Sequence, residues 1–127
     1  MQTLGARLTR VAAGECEIEM PYDRAFTQQH GFLHAGTLTS VVDSACGYAA
    51  FSLMPHGTAV LSVEFKVNLL APAAGNTLIA RACVLRGGRT LTIVSGNGFM
   101  RTDGEERHVL TMLATMMAVQ GREGISD

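Results

Sequence analysis

The stretch that decides the fold is Ala35 to Leu53, AGTLTSVVDSACGYAAFSL. Leu38, Val41, Val42, Ala45, Cys46, Ala49, Ala50 and Leu53 recur at spacings of three and four. At about 100° per residue they gather on one side of a helix. Pro55 and Gly57 end it soon after. One long, largely buried helix is expected. A second stripe, Gly36, Ser40, Asp43 and Gly47, runs along its flank. Three of these are small enough for another backbone to come close, and the fourth is a carboxylate. Glycine inside a helix costs about 1 kcal/mol relative to alanine, which a close-packed partner at Gly47 would offset.

Outward from the helix the pattern changes to a period of two. Cys16, Ile18 and Met20 alternate with Glu15, Glu17 and Glu19, giving a strand from Ala12 to Met20 with one wet face. Leu61, Val63, Phe65, Val67 and Leu69 alternate with Ser62, Glu64, Lys66 and Asn68. After the turn signal at Pro72 to Asn76 come Thr77 to Arg86, Thr90 to Arg101 and Arg107 to Val119, joined at Gly87-Gly88 and Asp103-Gly104. Gly96 and Gly98 inside a strand signal a bulge or strong bending. Short connections make the later strands antiparallel, and the sheet must cover the helix. The expected fold is α+β, one domain over residues 1–127 with its core at about 12–119.

Composition narrows the function classes. A 127-residue chain with 47% hydrophobic residues holds one core without a staple, and 10 Lys and Arg against 11 Asp and Glu leave a net charge of -1. No basic stripe invites nucleic acid and no segment reads as a membrane span. Residues 1–10 lack the apolar core of a signal peptide. Cys16, Cys46 and Cys83 are odd in number and far apart, which suits reduced thiols and a cytoplasmic location.

Chemistry concentrates at the helix entrance, QQHGFLHAGTLTSVVD (28–43). The first N–H groups of a helix lack intrahelical acceptors and sit at the positive end of its dipole, so they can polarise a carbonyl. Ala35 leaves room for a ligand carbonyl to reach them. Asp43 lies two turns deeper, where a carboxylate is costly unless paired or used. Two readings of Asp43 stand at this point: a reacting carboxylate, or the acceptor of a Ser40-x-x-Asp43 capping box. His30 and His34 are four apart, but Gly31 argues against a shared helical face and no third metal ligand is evident. Cys46 falls on the core face and is a poor nucleophile. Met100, Met112, Met116 and Met117 read as core or interface filler.

Three segments together, HAGTLTSVVD (34–43), LSVEFKVNLLAP (61–72) and RGGRTL (86–91), resemble the hotdog-fold acyl-CoA thioesterases of the phenylacetate-degradation type. The chain is similar in particular to their bacterial medium- and long-chain acyl-CoA branch. The resemblance runs over residues 12–119. It implies a five- to six-stranded antiparallel sheet wrapped around one long central helix, a homo-oligomer (dimer or dimer of dimers), and active sites at the subunit interface.

By the same resemblance the reaction is hydrolysis of an acyl-CoA thioester to the free acid and coenzyme A. No cofactor or metal is expected, since coenzyme A enters as part of the substrate. Asp43 would be the catalytic carboxylate, acting as general base or nucleophile. The Ala35 N–H would polarise the thioester oxygen, with Gln28 orienting the carbonyl or the water and His34 hydrogen-bonding near the thioester. Ser62 would reach in from the opposite subunit to hold the water. Arg86, Gly87, Gly88, Arg89, Thr90 and Leu91 would contact coenzyme A, whose phosphates suit arginine; the other reading of that run is an ordinary Gly-Gly hairpin. The family's usual motif is His-Gly-Gly, and Ala35 replaces the first glycine. Its methyl keeps the N–H, narrows the space and demands a helical φ. Two other functions compete: a non-catalytic acyl-CoA binding module, and hydration or dehydration of acyl thioesters on the same fold.

Overall fold

The computed structural model describes residues 2–120. Residues 1 and 121–127 of the single-domain reading lie outside the described residues. The elements are β1 (Arg7–Ala12), β2 (Glu15–Pro21), a 3-10 turn (Arg24–Phe26), α1 (Ala35–Phe51), β3 (Thr58–Leu69), β4 (Thr77–Gly87), β5 (Leu91–Thr102) and β6 (Glu105–Gln120). The six strands form one antiparallel sheet in the order β1-β2-β4-β5-β6-β3. The α+β expectation of a sheet around one long helix therefore holds, with six strands.

The helix owes its place to its apolar stripe. Leu38, Val41, Val42, Ala45, Cys46, Ala49 and Ala50 are all buried. Each of the larger ones contributes about 1.5–3 kcal/mol by leaving water. Leu53 departs from the stripe: the helix ends at Phe51 and Leu53 is half exposed. The sheet's inner face meets α1 with Cys16, Ile18 and Met20 from β2, Leu78, Ala80 and Ala82 from β4, and Val94 and Met100 from β5. Small residues on both sides bring helix and sheet together. A Cβ at Gly96 would lie 2.6 Å from Cys46 Sγ and 2.7 Å from Val42 Cγ1. The sequence signal at Gly96 is thus a close approach of α1, while a bulge does fall between Gly98 and Phe99.

β1 does not follow from the sequence pattern. Its residues are almost all exposed, so no apolar period marks it, and it is held by pairing with β2 across the turn at Ala13-Gly14. Nor is the glutamate face of β2 simply wet. Glu17 and Glu19 are half-buried and pair with Arg81 at 2.9 Å and Arg101 at 3.0 Å. Arg81 also makes a bidentate bond to Glu106, at 2.7 Å to each oxygen, and lies over the Phe99 ring, tying β2, β4, β5 and β6 across the outer face. The turn at Asp103-Gly104 has φ of 51° and 86°, the left-handed pair that a two-residue hairpin favours.

The strict alternation in β3 breaks, and this matters for the site. Opposite residues of an antiparallel pair share a face. Phe65, Val67 and Leu69 stand opposite the inward-facing Ala114, Met112 and Leu110, as expected. Ser62 stands opposite Met116, also inward, because the register slips between Ser62 and Glu64. Without that bulge Ser62 would share the outer face with Glu64 and Lys66. Bulges re-aim side chains in this way beside functional sites.

Candidate active site

The entrance of α1 is built by His34. Its backbone is extended, and its Nδ1 accepts the Gly36 N–H at 2.9 Å, making it the N-cap. The ring proton therefore sits on Nε2. A Cβ at Gly36 would lie 3.2 Å from that Nδ1, so the glycine admits the cap. The His34 carbonyl takes the N–H groups of Thr37 and Leu38. Ala35 opens the helix without a positive φ, as its methyl requires, and its N–H has no acceptor among the described residues. The capping-box reading of Asp43 fails: the helix starts at Ala35, and the Ser40 hydroxyl donates to the Gly36 carbonyl at 2.8 Å. His30 lies in the turn before the helix and shares no helical face with His34.

Asp43 sits half-buried on the flank of α1, where Ser62 donates to its Oδ1 at 2.9 Å. Met116 Sδ lies 3.2 Å from the same hydroxyl, but a carboxylate is the stronger acceptor for its single proton. Ser62 is therefore within reach of Asp43 in the same protomer. The β3 bulge turns it there, so Ser62 stands with Asp43 and apart from the residues at the helix entrance. Burial, and next the Asp43 carboxylate, push the Cys46 thiol up to about 12, so it stays protonated and inert as a nucleophile.

These residues fall into two cavities. One of about 590 Å³ is lined by Asp43, Ser44, Gly47, Tyr48 and Phe51 of α1 with Val60 and Ser62 of β3. The other, of about 610 Å³, is lined by Gln28, His34, Ala35 and Leu38, and by Leu69 at the end of β3 with the four residues that follow it. Gln28 uses its side-chain oxygen to accept the His30 N–H within its own turn, leaving its amide NH₂ as the free donor. The structure thus brings Asp43 and Ser62 together, and Gln28, His34 and Ala35 together. It does not join the two sets within one chain. Asp43 is eight residues beyond Ala35, about 12 Å along a helix rising 1.5 Å per residue.

Residues 30–106 match the family described as the thioesterase superfamily. This chain belongs to the thioesterase superfamily. A thioesterase family protein from Silicibacter pomeroyi is 58% identical, and its crystal structure superposes with a TM-score of 0.94 over 95% of this chain and 89% of that one. The PaaI protein from the phenylacetic acid degradation operon of E. coli superposes at a TM-score of 0.85 over 94% of this chain and 83% of that one. At 23% identity it speaks for the fold alone. A candidate esterase of Saccharolobus solfataricus is 31% identical over 91 residues, 72% of this chain, and the chain spans 64% of that relative's length.

In this superfamily member the run Arg86 to Leu91 closes the β4–β5 hairpin. Gly88 serves the turn itself, since a Cβ there would lie 2.4 Å from the Leu91 carbonyl oxygen. Arg86 and Arg89 are exposed, and neither has a carboxylate partner among the described residues. The turn is at the same end of the sheet as Ser62: Ser62 pairs with Met116 and Met116 with Thr92. Two strand spacings, about 10 Å, separate Ser62 from Thr92. Sequence reasoning missed Tyr48, Phe51, Val60, Leu69 and Leu70 as cavity walls. Phe51 carried a signal, since its spacing of eight from Asp43 puts it on the same flank of the helix.

Proposed function

We propose that this chain hydrolyses acyl-CoA thioesters to the free carboxylic acid and coenzyme A, at a site completed by a second copy of itself. The observation that carries this is Asp43, midway along α1 and the one charged residue of that helix, facing a cavity and held by Ser62. Ser62 occupies one oxygen and leaves the other for a water or for the thioester carbonyl. As general base Asp43 takes a proton from that water, which attacks the carbonyl and expels the coenzyme A thiolate. As nucleophile it displaces the thiolate and forms an anhydride that water then opens. In both routes the thiolate takes up the proton released from water. The thioester oxygen is polarised by the unpaired Ala35 N–H at the positive end of α1. His34 Nε2–H and the Gln28 amide add donors beside it. Membership of the thioesterase superfamily supports the reading. Metal and cofactor have no role in it.

One protomer cannot bring Asp43 and Ala35 to one carbonyl. β3 is a sheet edge of 12 residues on which Leu61, Val63, Phe65 and Leu69 are exposed. A long apolar edge is a template for pairing. Antiparallel pairing of β3 with its copy about a two-fold near Phe65 sets the Val60–Ser62 end of one strand beside the Leu69 end of the other. Those ends wall the two cavities, so Asp43 meets Gln28, His34 and Ala35 of the partner subunit. Phe65→Lys should turn the dimer into a monomer by light scattering and abolish thiol release together. A monomeric variant that retains turnover would refute the shared site.

The test of the function is free-thiol release from short, long-chain and aryl acyl-CoAs. Turnover on some of the panel is expected. No turnover, with coenzyme A still bound, favours a binding module. The phosphates of coenzyme A meet Arg86 and Arg89, so Arg86→Ala and Arg89→Ala should each raise KM several-fold, with a smaller effect on kcat. The free Cys16, Cys46 and Cys83 agree with a cytoplasmic setting. No helix of the described residues is long and apolar enough to cross a membrane.

A further inference from the structure

The β4–β5 turn is braced differently on its two sides. On the β6 side the Ala118 N–H donates to the Thr90 carbonyl at 2.8 Å. On the other side β2 pairs with β4 only as far as Glu15 opposite Cys83, and β4 runs on past it through a bulge between Val84 and Arg86. One backbone bond continues the support there: the Val84 N–H donates to the Gly14 carbonyl at 2.8 Å. Gly14 is the tip of the β1–β2 hairpin, with a φ of 74°, and its own N–H donates to the Ser52 hydroxyl at 2.8 Å. Ser52 is the C-cap of α1. Its hydroxyl donates in turn to the Ala49 carbonyl at 2.7 Å, one of those a helix end leaves without an intrahelical partner. Leu53 packs into the same corner: a Cβ on Gly14 would lie 3.4 Å from its Cδ1, and one on Gly87 3.9 Å from it. The contacts Ala49–Ser52–Gly14–Val84 thus tie the end of α1 to the base of the turn.

We infer that Ser52 is a positioning residue for coenzyme A: through Gly14 it holds the Arg86–Leu91 turn at a fixed place relative to Asp43. The inference rests on the thioesterase reading and on the turn taking the nucleotide phosphates. The rigid member is α1, on which Ser52 lies nine residues beyond Asp43, about 14 Å along the axis. A thioester placed at Asp43 and held by its phosphates at Arg86 and Arg89 is gripped at two points. Only a fixed spacing lets both grips act together. A hydroxyl suits the junction because it accepts one hydrogen bond while donating another. Alanine at position 52 leaves the Gly14 N–H without that acceptor and frees the hairpin tip from α1, while every group proposed to touch the substrate is retained.

The experiment measures thiol release from one acyl group carried on coenzyme A and on pantetheine, which lacks the phosphates, by wild type, Ser52→Ala and Ser52→Thr. Ser52→Ala should raise KM for the acyl-CoA about fivefold, the scale of one lost hydrogen bond, with kcat nearly unchanged. Its kcat/KM on the acyl-pantetheine should match wild type, which also shows that the variant is folded. Ser52→Thr keeps the hydroxyl and should restore the wild-type KM. In an Arg86→Ala, Arg89→Ala background Ser52→Ala should lose most of its effect, because it acts through those side chains. An equal loss on both substrates, or no change on either, overturns the inference. If wild type uses both substrates with the same KM, the turn takes no phosphate and the inference falls with that contact, while hydrolysis stands. If wild type releases no thiol from either, coenzyme A and pantetheine are titrated by calorimetry. Weaker binding of coenzyme A alone in Ser52→Ala then supports the inference while the hydrolytic reading fails, and equal binding by the two proteins overturns it.

Discussion

Asp43→Asn is expected to lower turnover on the best acyl-CoA by at least about a hundredfold, the lower range for a lost acid–base group. The substitution keeps the shape of the side chain and an oxygen that can accept the Ser62 hydroxyl, now 2.9 Å away. It removes the group that, in the proposed reaction, takes the proton or attacks the carbonyl. Folding and assembly should survive, because Asp43 caps nothing: α1 begins eight residues earlier, under His34. A Tm close to wild type together with collapsed thiol release is the expected pair. Near-normal kcat with a much lower Tm would instead make Asp43 a structural acceptor and remove the central support of the proposed function.

Gly96→Ala is expected to give a large stability loss for a single added methyl in the core. The added Cβ would lie 2.6 Å from Cys46 Sγ and 2.7 Å from Val42 Cγ1, both on fully buried side chains. Neither is the free end of a flexible chain, so α1 must shift from β5 or the sheet must give. Overpacking of this kind costs about 1–3 kcal/mol. For a domain of this size that lowers Tm by about 4–11 °C, measured at fixed protein concentration. Cys46→Ala removes the sulfur from the clash, so the double variant should lose less than the sum of the single losses. A neutral Gly96→Ala would show that α1 is not pressed against β5 at this point.

Much of the frame could be read from residue order. The apolar spacing from Leu38 to Ala50 specifies a helix buried on one side, because only the helical period unites those positions. Two-residue turn signals such as Asp103-Gly104 specify hairpins, because few residues accept a positive φ. Asp43 could be singled out for a similar reason, as a carboxylate among apolar neighbours needs a use. Where the fold differs from expectation, the information is not local. β1 has no apolar rhythm, and only the neighbouring β2 makes it a strand. Leu53 fits the helical stripe, but the helix ends before reaching it.

The sequence by itself determined one buried helix, a sheet to cover it and a carboxylate to explain. Periodicity and turn chemistry act over a few residues, and those features need nothing more. Only the tertiary structure decided how the candidate site is divided. A register slip in β3 turns Ser62 towards Asp43 in its own protomer, against the strict alternation of the strand. The length of α1 then holds Asp43 and Ala35 in separate cavities. A register and a distance between elements depend on how strands pair and helices pack, and no local pattern of side chains carries them.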